Sequence, residues 1–129
     1  MTILDRIFGW LMVVGGLLHA GGSWRAFHND PSQLLWALSG SLAALLVAAL
    51  NLLRVGRPTD RPLAWVSFLA SLAWLAVAAG FGAVIGHLTD PRAVVHGVNA
   101  AVLAGLSLRT LTRAPALIGH SRAAPQLHR

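Results

Sequence analysis

Residues 33–53 read QLLWALSGSLAALLVAALNLL, 21 residues without a formal charge. A crossing of a hydrocarbon core about 30 Å thick takes roughly 20 such residues in an α-helix. The run begins just after Asp30-Pro31 and stops at Arg54. Asp suits an N-cap, and Pro suits the first helical turn, where its missing N–H is no loss. The stretch therefore reads as a membrane-spanning helix with its start signal in place.

Three comparable runs flank it. Residues 7–24 hold no Asp or Arg, and residues 63–86 form the longest clean segment. A fourth begins near Ala93 behind a second Asp90-Pro91 and stays uncharged only to Leu108, so that Arg109 must snorkel toward a headgroup. The sequence thus predicts an all-α, four-helix transmembrane bundle over residues 1–114, with helices at 5–24, 32–53, 62–87 and 92–112 and short loops. Residues 115–129 are predicted to form a flexible basic cytoplasmic tail. A cleaved signal peptide is the rival reading of the first run, and the bulky Trp24-Arg25 after the small Ala20-Gly21-Gly22-Ser23 argues against it.

Composition agrees. Hydrophobic residues make up 56% of the 129 and charged ones 11%, less than half of the roughly 25% usual in soluble domains. This excludes a disordered chain and argues against a soluble one. The charged set is ten Arg and four Asp, with no Lys or Glu. Cys and Tyr are absent too, which excludes disulfides, thiolate zinc sites and Fe–S clusters. Without Glu there is no Glu-x-x-His motif, so a carboxylate-bridged di-iron bundle is also excluded.

Arginine placement predicts orientation. Arg6, Arg54, Arg57, Arg61, Arg109, Arg113, Arg122 and Arg129 fall on one side of a four-span chain, and only Arg25 and Arg92 on the other. Asp divides evenly, with Asp5 and Asp60 opposite Asp30 and Asp90. The basic side should be cytoplasmic, with both termini inside. The default location is a bacterial inner membrane. The positive charge is spent in short loops beside headgroups, so nucleic acid is not an expected partner. Membrane lipid is, together with a homo-oligomer or larger complex, because so small a bundle leaves most helix faces in lipid.

Small residues at four-residue spacing mark expected contact faces: Gly40, Ala44 and Ala48; Ala78, Gly82 and Gly86; Gly97, Ala101 and Gly105; and Gly15, His19 and Gly22 on the first helix. Trp10, Trp24 and Trp65 suit an interfacial belt. Trp36 and Trp74 lie deeper, either filling the core or lining a pocket. The Asp-Pro pairs, 60 residues apart, invite a duplicated hairpin. Sliding residues 20–52 over 80–112 matches only five positions, so that offset supports nothing.

Chemistry is signalled by histidine alone. His120 and His128 fall in the tail, whereas His19, His28, His87 and His96 all fall toward the side of Asp30 and Asp90. At 1.5 Å per residue, His19 lies about 7 Å below Trp24 and His96 about 6 Å below Arg92. Asn99, one turn along from His96, extends a polar strip. The expectation is a haem or metal (copper or zinc) bound by His19 and His96, with His28 and His87 as further ligands and an electron-transfer role. Asn99, Asp30, Asp90, Arg25 and Arg92 would form its surroundings. The alternatives are a small transporter or channel, proton-coupled or for small molecules, with a His-lined cavity, and an accessory subunit without chemistry. No catalytic residue is singled out, since Ser23, Ser39 and Ser41 lack any nucleophile motif.

Overall fold

The computed structural model describes residues 2–113. It is all-helical: α1 spans Thr2–Phe27, α2 Pro31–Gly56, α3 Arg61–Val84 and α4 Pro91–Arg113. All four are long and apolar enough to cross a membrane. The predicted tail, with His120 and His128, lies outside the described residues.

Helix starts follow the capping chemistry. Asp30 Oδ1 accepts from the Gln33 amide at 3.0 Å, Asp60 Oδ1 from Leu63 at 3.0 Å and Asp90 Oδ1 from Arg92 at 2.9 Å. Each Asp satisfies an orphan first-turn donor. Four ends differ from expectation by three residues each, and α1 accounts for two of them, spanning Thr2–Phe27 rather than 5–24. α2 continues to Gly56, which draws Arg54 out of the loop and into the helix. α3 stops at Val84 rather than 87, because Gly86 takes a left-handed φ of 72°. There the His87 amide bonds Gly82 O at 3.0 Å and the Gly86 amide bonds Ala83 O at 3.1 Å, the paired C-terminal closure that glycine makes cheap.

The helices form two antiparallel hairpins, α1–α2 and α3–α4, packed far more extensively within each hairpin than between them. The outside is apolar, with Leu18, Trp36, Val84 and Leu88 among many exposed large side chains. The inside is small or polar: Ala44, Ala48, Ala64 and Ala100 are buried beside Ser41, Ser67, Ser71, Ser107, Asn51 and Asn99. This inverts the soluble pattern and fits helices that associate in lipid by close packing and interhelical hydrogen bonds.

The expected contact stripes hold in part. Ala44, Ala48, Ala78 and Gly82 are buried. Gly22, Gly86, Ala101 and Gly105 are exposed instead. α1 turns Gly9, Met12, Gly16 and Ser23 inward rather than the predicted Gly15–His19–Gly22 face, on which Gly15 and His19 are half-buried. α4 buries Ala93, Ala100, Leu103, Ala104, Ser107 and Leu111. Trp36 is 77% exposed rather than filling the core. Small size marks where a helix can approach, not which small residue does.

A register does relate the hairpins, at 55 residues rather than 60. Buried Gly9, Met12, Gly16 and Ser23 of α1 correspond at that offset to buried Ala64, Ser67, Ser71 and Ala78 of α3. Between α2 and α4 the match is partial: of six buried α2 residues, only Ala44 and Ala48 have buried counterparts, Asn99 and Leu103. The sequence carries an echo in Asp5-Arg6 with Trp10 against Asp60-Arg61 with Trp65, and in Leu53-Arg54 against Leu108-Arg109. The capping Asp-Pro pairs hide this register because α2 starts ten residues before Ser41, whereas α4 starts only five before its counterpart, His96.

Three layers stack along the bundle. Toward the Asp30 end lie His19, Ser41, Trp74 and His96, one from each helix. A mostly apolar layer follows, made of Met12, Ala44, Val47, Ala48, Ala100 and Leu103, with the Asn99 amide bonded to Phe8 O and the Met12 amide at its edge. Toward the Asp5 end lies a polar network centred on Arg54 and Asn51.

Candidate functional site: a histidine pair between the hairpins

His19 and His96 come together. Their ring centroids are 6.3 Å apart, with planes at 86°. Gly15 lets His96 in: a Cβ there would stand 3.1 Å from His96 Cε1, so the absent side chain leaves the imidazole its place on α1. Each ring is tied within its own hairpin. His19 Nδ1 lies 2.8 Å from Ser41 Oγ. Trp74 Nε1 donates to His96 Nδ1 at 3.4 Å, and the two rings meet edge-on with centroids 5.7 Å apart. Both imidazoles are half-buried.

The other expected participants lie elsewhere. His28 is exposed, its Nδ1 3.3 Å from Arg25 O, and His87 is exposed in the α3–α4 turn. The four-histidine cluster thus resolves into a pair and two rim residues. Among the described residues, no three His or Asp side chains gather into a metal-ligand group. Asp30 caps α2, Asp90 pairs with Arg92 at 3.0 Å, and Arg92 also lies over the Phe81 ring at 5.4 Å. None of these makes a hydrogen bond to either imidazole. Asn99 faces α1 rather than a cavity. In the amide orientation that suits both its groups, it donates to Phe8 O at 3.1 Å and accepts from the Met12 amide at 3.0 Å.

The donor set fits a cofactor poorly. Zinc and copper sites take three or four ligands, and the pair offers two. Two imidazoles would suffice axially for haem, each giving one bare nitrogen. His96 Nδ1, receiving the Trp74 N–H, is already its lone-pair nitrogen, so Nε2 carries the proton and has nothing to give a metal. Moving that proton to Nδ1 would set two N–H groups against each other.

A second polar site, at the opposite end, has no place in the expectations from sequence. Arg54 is 3% exposed. Its Nη2 bonds Asp5 Oδ1 at 2.7 Å, and its Nη1 bonds Thr110 Oγ1 at 2.7 Å and Leu106 O at 3.3 Å. Asn51, one turn earlier, donates to Ser71 Oγ at 3.0 Å and accepts from Ser107 Oγ at 3.1 Å. All four helices meet there. The polar residues Asn51 and Arg54, three apart at the end of an apolar run, were the available signal.

The chain matches no protein-family model, and neither the curated proteins nor the solved structures contain a match to it.

Proposed function

We propose that this chain is a small multi-pass protein of a bacterial inner membrane, both termini cytoplasmic, in which the His19–His96 pair is the protonation site of a proton-coupled transport or gating step. The observation that carries this reading is the pair itself: two imidazoles from different hairpins, side by side within a bundle of membrane-crossing helices. Imidazole is the side chain whose charge changes near physiological pH. Ionisable groups at membrane depth are costly and sit where a function uses them. Among the described residues, neither ring is hydrogen-bonded to a carboxylate that would fix its charge. The apolar outer faces further support assembly with further copies or a larger membrane complex.

Proton uptake tests the reading. Full-length protein in lipid nanodiscs is titrated from about pH 8 to 4, a span that brackets ordinary imidazole, beside the His19→Ala/His96→Ala variant. The variant is expected to take up fewer protons. Equal uptake would overturn the proposal and leave a scaffold or accessory subunit. A Soret band, or stoichiometric metal lost on His19→Ala in protein from native membrane, would overturn it in favour of a cofactor site.

A further inference from the structure

The two imidazoles have different hydrogen-bond partners, Ser41 Oγ for His19 and the Trp74 N–H for His96. Ser41 has one hydroxyl hydrogen, and Ala37 O lies 3.3 Å from its Oγ as one acceptor for it. With the hydrogen on Ala37 O, the same oxygen accepts from His19 Nδ1, 2.8 Å away, and the His19 proton sits on Nδ1. Its Nε2 is a bare lone pair. His96 is the reverse, because the Trp74 N–H points at Nδ1 and leaves the proton on Nε2.

We infer that Ser41 and Trp74 are positioning residues that divide the work of the pair: His19 accepts the proton at Nε2, and His96 stays neutral beside it. The inference rests on the protonation-site reading above. When a proton binds, the His19 Nε2 lone pair forms the new N–H bond as a hydronium O–H bond breaks and releases water, and the Nδ1–H to Ser41 contact survives in the imidazolium. The same event at His96 would have to occur at Nδ1 and would drive N–H against the Trp74 N–H. Four helices supply the surroundings: His19 from α1, Ser41 from α2, Trp74 from α3 and His96 from α4, with Arg92 the charged residue one turn before His96 on α4. Among the described residues, the titratable groups in the layer are the two rings. Two adjacent imidazolium ions would repel, so the assignment also sets which ring is charged.

The test is 15N NMR of histidine-labelled full-length protein in nanodiscs, with exposed His28 and His87 as internal references. At pH 8, His19 is expected to show a protonated Nδ1 and His96 a protonated Nε2. On acidification His19 should become the imidazolium first. Trp74→Phe, which keeps an aromatic ring but removes the N–H, should let His96 titrate at higher pH and sample both tautomers. Ser41→Ala should release the His19 tautomer. Identical tautomers in the wild type, or titration of His96 before His19, would overturn the assignment while leaving a protonation site in place. A pair that takes up no proton removes that site, and the wild-type tautomers are then still read at pH 8. Because the wild-type spectrum decides by itself, a variant that fails to fold does not rescue the idea.

Discussion

Arg54 is an arginine with almost no exposed surface inside a bundle that is apolar outside, and its partners are what make it tolerable. A buried guanidinium is costly unless its donors are met. Asp5, Thr110 and Leu106 O meet those on the terminal nitrogens, while Nε has no partner among the described residues. Removing one member leaves the other as an uncompensated charge, worth about 3–5 kcal/mol. Arg54→Ala should therefore lose stability in that range in reversible unfolding from mixed micelles. The Asp5→Ala/Arg54→Ala double variant should lose less than the two singles together. Costs that add within about 0.5 kcal/mol would mean the two residues are not coupled. Read along the chain, Arg54 joins Arg57 and Arg61 as loop charge, because nothing local reveals that α2 runs on for three more residues or that Asp5, 49 positions away, waits for it. His19 and His96 were legible as a pair, since equal depth follows from helical rise. Ser41 and Trp74 were not, because which face of a helix turns inward is set by all four helices at once.

At the scale of elements, starts were more legible than faces. An Asp before Pro has a local reason to cap, and all three caps form where the side chain and its amides are near neighbours in sequence. The start of α4 adds an ion pair: Arg92 bonds both carboxylate oxygens of Asp90, at 3.0 and 3.1 Å. The Arg92 side chain, and then its backbone amide, hold the Asp90 carboxyl below the usual carboxylate range. A group whose folded pKa is depressed stabilises at neutral pH and loses that contribution as pH falls through the folded value. The first-turn amides of α4, measured by hydrogen exchange, should thus lose protection on acidification below about pH 4. Asp90→Asn should already be less protected at pH 7 and show no such acid step. Acid-independent protection in the wild type would remove the ion pair from the account. Inward faces obey no comparable local rule: among equally small residues, α4 buries Ala100 and Ala104 and leaves Ala101 and Gly105 outside.

For the whole molecule, four spans follow from charge-free length, and length is the most secure thing a sequence records. Orientation rests on arginine counts and has a direct test, since the chain contains no cysteine. Single Asn29→Cys, Thr59→Cys and Thr89→Cys variants in intact cells should react with a membrane-impermeant maleimide at 29 and 89 but not at 59. Labelling at 59 alone would invert the topology. The layer of Met12, Ala44, Val47, Ala48, Ala100 and Leu103 then acquires a meaning of its own. It is a mostly apolar spacer between two polar groups, the histidine pair and the Arg54 network. A membrane that stores a pH difference cannot contain a continuous wire, and apolar side chains separate the two groups here. If His19 is the protonation site proposed above, a proton bound there would cross the spacer only if the two hairpins shifted against each other, and the packing along that seam is sparser than within either hairpin.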